Sequence, residues 1–277
     1  MRDEIYPDGV RNLIGRIPYR LALAGGWIDQ PFINRLNPSP PGSMVVVCVE
    51  PEFPFMERSG MGTSTRKAAM QLWGGELPHG KPAGRDPAAL VRELYQAENA
   101  GKPEPSGSQD MAGLIYPGVN RLDYDAGYDG GYFPVHVESN NDPQVAAWLE
   151  QVIHILPVGQ RPPGYSPLAI KNLDPAWIRR LGQSGKDCFE AILTCDAAGL
   201  GESLNECMRC WEAILPQTVR HPGLAVDLMA ILKAYQSRYC GAMYSGCGGG
   251  YLFVVSEELV PGALQVKLRV EQGVEQA

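Results

Sequence analysis

Residues Ser59-Gly60-Met61-Gly62-Thr63-Ser64-Thr65 stand between an apolar, β-branched run (MVVVCVE, from Met44) and a stretch with helical periodicity, RKAAMQLW. Successive small residues let backbone amides converge, and a helix starting there directs its unpaired N–H groups and positive dipole end into the turn. A chain of this kind must pass from a buried strand through a tight turn into a helix, and the turn is shaped for an anion such as phosphate. By itself the same pattern also describes an ordinary helix cap.

The flanking sequence supplies the rest of an α+β pattern. RIPYRLALAGG reads as a strand, separated from the apolar run by a Pro-rich loop, NPSPPG. After the first helix come a polar linker, GGELPHGKPAGRD, and a second helix, DPAALVRELYQAENA, with Asp86 as a candidate cap. RLDYDAG and YFPVHVE then read as strands joined by a Gly/Asp-rich hairpin, closing a first domain over residues 1–145. The second domain, residues 146–277, opens with a helix in DPQVAAWLEQ, a strand VIHILPV and the loop GQRPPGYSP. Helices are predicted near 175–197, 202–214 and 223–239, followed by strands in CGAMYSG, YLFVVSE and LQVKLRVE.

A net charge of −7, without a basic block, offers no electrostatic footprint for nucleic acid or an anionic membrane. No window reaches the roughly 20 apolar residues of a membrane span, and the start, MRDEIYPDGV, lacks a basic stretch followed by an apolar one. The expectation is a soluble, cytoplasmic protein with a small-molecule partner. Seven scattered cysteines argue against a disulfide framework, and Cys207 and Cys210 fall in a helical pattern as a buried pair. The four histidines are too far apart in sequence for ligand spacing and read as structural or exposed.

Three further constellations can carry chemistry. Glu98 closes a helix and Asp110 follows a Pro/Ser/Gly loop twelve residues later. A carboxylate pair near a phosphate loop suits one Mg²⁺ ligand and one proton acceptor, although loop acids are commonly solvated surface groups. Gly246-Cys247-Gly248-Gly249-Gly250 separates two apolar runs, and requires either positive φ or a close backbone approach; a hairpin turn explains it nearly as well. Arg20, inside the first strand, needs a buried partner, and Ala24-Gly25-Gly26-Trp27-Ile28-Asp29 lies at that strand's exit. Arg161, Arg179 and Arg180 are candidates for a substrate phosphate, but loop and helix arginines are usually surface residues.

In this order the elements resemble the signature of the GHMP kinases, and most closely their sugar-kinase branch. RIPYRLALAGGWIDQP is similar to the N-terminal strand and substrate loop of heptose 7-phosphate kinases and fucokinases. SGMGTSTRKAAM resembles the G-L-G-S-S-A phosphate loop, SGSQDMAGLIYPGVNRLDYD the G-x-Q-D-Q stretch, and YSGCGGGYLFVV the third-motif hairpin. VIHILPVGQR is weakly similar to the strand and T-G-x-x-R loop between them. The resemblance implies an N-terminal domain like ribosomal protein S5 domain 2, a ferredoxin-like C-terminal domain and a nucleotide cleft between them. It further implies an ATP- and Mg²⁺-dependent kinase acting on a hydroxyl of a sugar or sugar phosphate. Asp110 would be the catalytic base, with Arg20 beside it. Ser59, Gly60, Gly62, Thr63, Ser64 and Thr65 would hold the triphosphate, and Ser64 and Glu98 the metal. Asp29, Gly26 and Gly248 fall at the substrate.

The sequence also departs from the pattern. Only 29 residues separate Asp29 from Ser59, Arg66 and Lys67 bring two cations into the first helical turn, and Met111 stands where a second Gln is expected. The alternative is a non-catalytic sugar- or nucleotide-binding regulator on the same fold, and a homodimer is compatible with either reading.

Overall fold

A computed structural model describes residues 17–271, apart from 75–83, 103, 160 and 163. The β-branched run forms the centre of an antiparallel sheet of four strands, β1 (Tyr19–Ala22), β2 (Gly42–Val49), β3 (Val119–Tyr124) and β4 (His136–Asn140), in that spatial order. Every residue of β2 is buried, which explains why it reads as an unbroken apolar run rather than an alternating one. A second antiparallel sheet contains β5 (Ile153–Gly159), β6 (Gly241–Gly246) and β7 (Gly249–Val255), with β7 in the middle.

Helices fill the space around and between the sheets: α1 (Pro31–Asn34), α2 (Thr63–Trp73), α3 (Pro87–Asn99), α4 (Gln109–Ile115), α5 (Pro143–Val152), α6 (Pro175–Leu193), α7 (Ala197–Ile214) and α8 (Leu228–Gln236). The long pair α6 and α7 pack on each other, α6 also lying against β2 and α7 against β6, so one apolar core runs through both sheets. Asp residues start five of these helices by accepting backbone N–H bonds, among them Asp86 from Ala88 and Ala89. Cys207 and Cys210 are buried on α7, and all seven cysteines are free thiols.

Two features differ from the sequence pattern. LQVKLRVE forms no strand: Leu264 bridges Ile155 of the second sheet and Leu268 bridges Val49 of the first. The alternation is real, but its two ends pair with different sheets, so no continuous ladder develops. Conversely, α4 arises within a segment that lacks an extended helical period. Gly113 lets it lie against the stem of Arg20, where a Cβ would sit 2.8 Å from the Arg20 Cβ. His154 is buried, His136 faces Asp123, His221 packs on Tyr165, and His79 lies outside the described residues. Among the described residues no helix is long and apolar enough to cross a membrane.

Candidate active site

The phosphate-loop sequence adopts the strand–turn–helix geometry its composition requires. Gly60 and Gly62 have φ of 76° and 72°, and Gly62 caps α2 in the left-handed conformation without a side-chain cap bond. The amides that open α2 at Thr63 and Ser64 therefore face a cleft of about 560 Å³, which Gly60, Gly62, Thr63 and Ser64 line. Ser59 is buried instead: its hydroxyl donates to the Met56 carbonyl and its own carbonyl accepts from Ser245 Oγ. Ser59 thus locks the loop to the second sheet.

Arg20 projects from β1 beneath this loop and is 5% exposed. Its Nη1 donates to the Gly60 carbonyl at 2.7 Å, and its Nε to Asp110 Oδ1 at 2.7 Å, with Nη2 on the same carboxylate oxygen. One guanidinium thereby fixes both the loop and the carboxylate in the first turn of α4. Burial raises the Asp110 pKa, Arg20 opposes that rise, and the Glu98 charge adds to it.

Asp29 lies on the same cleft wall, 4% exposed, with its carboxylate against the entry to α4. The Gln109 amide donates to it, and a side chain at Gly107 would collide with Oδ2. Desolvation, reinforced by the Asp110 charge, pushes the Asp29 pKa up to about 7, against the pull of Arg20. The native state therefore holds a proton that the unfolded chain releases near an ordinary carboxylate pKa, so this group's contribution falls as pH rises from about 4 to 7. Asp29→Asn should gain more stability over wild type at pH 8 than at pH 4.5 in urea denaturation; an equal effect at both values would remove Asp29 from this titration.

Glu98, at the end of α3, uses its two oxygens differently. Oε2 accepts from the buried Thr65 hydroxyl at 2.5 Å, whereas Oε1 meets Ser64 Oγ at 3.1 Å, Lys102 Nζ at 3.2 Å and Ser106 Oγ at 3.4 Å. Thr65 thus anchors Glu98 rather than facing the cleft. Thr65→Val should cost ~1–2 kcal/mol by stranding a buried carboxylate oxygen, measured as a shift in urea midpoint at unchanged slope. The cations that the sequence placed in α2 turn elsewhere: Arg66 stacks 3.6 Å over the Tyr19 ring and donates to the Ile17 carbonyl, and Lys67 pairs with Glu57.

Gly26 lines the cleft and its carbonyl accepts from Trp211 Nε1 at 3.0 Å. Gly248 is packed beneath the Tyr165 ring, and the cleft wall of that hairpin is formed by Ser245, Gly246 and Cys247. Trp27, Gln109 and Trp211 also line the cleft. Trp27 and Gln109 fall within the motifs read from the sequence but were given no role there, and Trp211 follows the apolar pattern of a core helix. Gln109 is informative, because its Oε1 is buried without a hydrogen-bond partner among the described residues. Arg179 does not line the cleft and Arg180 is held by Glu206, but Arg161 does line it.

No protein-family model matches the sequence. Over 229 residues, 78% of this chain, it is 25% identical to the bifunctional fucokinase/GDP-fucose pyrophosphorylase of Arabidopsis thaliana, and it spans only 20% of that protein's length. Among solved structures, a D-glycero-D-manno-heptose 1-phosphate kinase from Bacteroides thetaiotaomicron aligns with a TM-score of 0.53 at 13% identity, covering 92% of this chain and 95% of that one. A mevalonate kinase aligns with a TM-score of 0.54 at 10% identity over 92% and 98% of the two chains. Homoserine kinase from Cytophaga hutchinsonii gives 0.53 at 12% identity over 87% and 84%. With its two antiparallel sheets and their helices, this chain has the two-domain α+β fold of the GHMP small-molecule kinases.

Proposed function

We propose that the chain is a kinase that transfers the γ-phosphoryl group of ATP to a hydroxyl of a sugar or sugar phosphate, with the nucleotide held between a unit ending near residue 145 and the remainder of the chain. The observation that carries this reading is the shared guanidinium: Arg20 binds both the Gly60 carbonyl of the anion-shaped loop and the Asp110 carboxylate. A proton acceptor and a phosphate cradle are thereby held in one rigid unit, as in-line phosphoryl transfer requires.

The acceptor hydroxyl gives its proton to Asp110 as its oxygen bonds to the γ phosphorus. The bond from that phosphorus to the β-phosphate oxygen breaks, and ADP leaves with the electron pair. Burial raises the Asp110 pKa above that of an ordinary carboxylate while Arg20 favours its ionised form, a combination suited to a general base. Asp29 and Gln109 place polar side chains on the same wall, which favours a polyhydroxylated acceptor.

The donor set also suits Mg²⁺. Ser64 Oγ and Glu98 Oε1 are hard oxygens 3.1 Å apart, close to the roughly 3 Å edge of an octahedron with 2.0–2.1 Å bonds. Among the described residues no cluster of three or more His, Cys, Asp or Glu could hold an ion by itself, so phosphate and water oxygens would complete the shell. When bound, Mg²⁺ neutralises phosphate charge. The free thiols and the ATP requirement fit a cytoplasmic setting.

The test is ATP consumption with Mg²⁺ against free and phosphorylated hexoses and heptoses. A sugar-dependent signal is expected. Silence across the panel, without a nucleotide-induced thermal shift, would replace the kinase with a non-catalytic binding protein.

A further inference from the structure

Arg161 follows β5 and is half-buried at the side of the cleft where the phosphate loop meets the glycine hairpin. Its Nε donates to the Arg58 carbonyl at 3.0 Å, one residue before the loop begins, and its Cγ lies 3.1 Å from where a Cβ on Gly248 would stand. The stem is thus clamped by the two segments that form this end of the cleft. That bond is the only hydrogen bond Arg161 makes among the described residues, and no described carboxylate pairs with it, whereas Arg20, another of the arginines lining the cleft, is paired with Asp110.

A guanidinium with a fixed Nε and two uncommitted Nη groups presents a fork matched to phosphate oxygens. The nearby loop amides favour the same charge. Arg161 shares the Gly248 backbone with the Tyr165 ring and lines the cleft together with Ser245, Gly246, Cys247, Gly60 and Asp110. Its field reaches Asp110 and acts to lower that group's pKa. It therefore faces the place where the phosphate cradle and the proton acceptor converge.

We propose that Arg161 binds the terminal phosphate of a polyphosphate seated in the α2 loop. On the kinase reading above, on which the catalytic part of this inference rests, that phosphate is the one transferred, and Arg161 takes up the charge that develops on its equatorial oxygens as the bond to the leaving diphosphate breaks. Arg161 contributes neither proton nor electron pair. Its part is electrostatic, in the manner of other arginines at phosphoryl-transfer sites.

Inorganic tripolyphosphate, titrated calorimetrically into the 277-residue chain, tests the binding statement without requiring turnover. Arg161→Ala is expected to weaken binding at least tenfold, and Arg161→Lys, which keeps the charge but not the fork, to fall between. The ligand-free melting temperatures of both variants should stay close to wild type, because the bond to the Arg58 carbonyl is exposed and its loss costs little. If the wild type is an active kinase, Arg161→Ala should lower kcat about 10²–10³-fold with little change in acceptor KM, and added guanidinium should restore part of it. Tripolyphosphate affinity within twofold of wild type in Arg161→Ala overturns the proposal, even if the protein proves to be a kinase. Loss of tripolyphosphate binding in a protein that phosphorylates no sugar upholds the binding site and rejects only the kinase reading.

Discussion

If the chain is the kinase proposed above, Asp110→Asn should lower sugar-dependent ATP consumption by about 10³-fold or more while leaving nucleotide binding close to wild type; loss of a general base typically removes 10²–10⁴ in rate. The amide still offers Arg20 an acceptor oxygen, so Arg20 Nη1 can keep its bond to the Gly60 carbonyl and the phosphate loop its shape. What disappears is the ability to accept a proton from the attacking hydroxyl. The decisive readout is therefore a pair of measurements: turnover at saturating substrate, and the thermal shift produced by ATP with Mg²⁺. Collapse of the first with survival of the second assigns Asp110 to chemistry. Full turnover in the variant would reject it as the base, and loss of both would show that Asp110 acts through Arg20 as a loop support.

The pH dependence separates the two carboxylates on this wall. The Asp110 charge helps push the Asp29 pKa up to about 7, whereas the like charge that raises the Asp110 pKa is Glu98. Below pH 7 a largely protonated Asp29 is no negative neighbour, so Asp29→Asn should remove any limb near pH 7 from a rate profile and leave a more acidic limb in place.

Elements with an unbroken apolar run or a long apolar stripe were legible from the sequence. β2 is buried throughout and its β-branched run shows it; α6 and α7 each have a continuous apolar stripe. The site was legible where local backbone chemistry defines it, at Gly60 and Gly62, whose left-handed conformation only glycine takes readily. The partnership of Arg20 with Asp110, which joins residues 90 apart through the packing of α4 on β1, came only from the family resemblance; the strand pattern showed no more than that Arg20 needs a partner. The roles of Ser59 and Thr65 were hidden for a related reason. Both belong to the loop motif, but their side chains or carbonyls face neighbouring elements, Ser245 and Glu98, that no local pattern reveals. Trp211 illustrates the opposite difficulty: on α7 it follows the apolar stripe of a core residue, yet one edge lines the cleft.

Gly250→Ala should destabilise the protein by ~2–5 kcal/mol and weaken binding of the proposed nucleotide with it. Gly250 has φ of 88°, and a Cβ there would run into the Ser59 carbonyl oxygen; one on Gly60, with φ of 76°, would run into the Ser245 carbonyl. The two segments therefore interlock backbone to backbone, with the Ser245 hydroxyl donating to the Ser59 carbonyl and accepting from the Tyr251 amide. A methyl group at this seam has no flexible side chain to displace, so a conformational penalty of ~1–2 kcal/mol adds to an overpacking cost of ~1–3 kcal/mol. Gly262→Ala separates these contributions, because Gly262 has φ of 78° but open space around its Cβ position. That variant should lose only the conformational part in a urea titration. If Gly250→Ala costs no more than Gly262→Ala, the seam yields easily and the hairpin does not hold the phosphate loop in place. If it costs more and ATP affinity falls in parallel, the glycine hairpin acts as the wall that shapes the loop for phosphate.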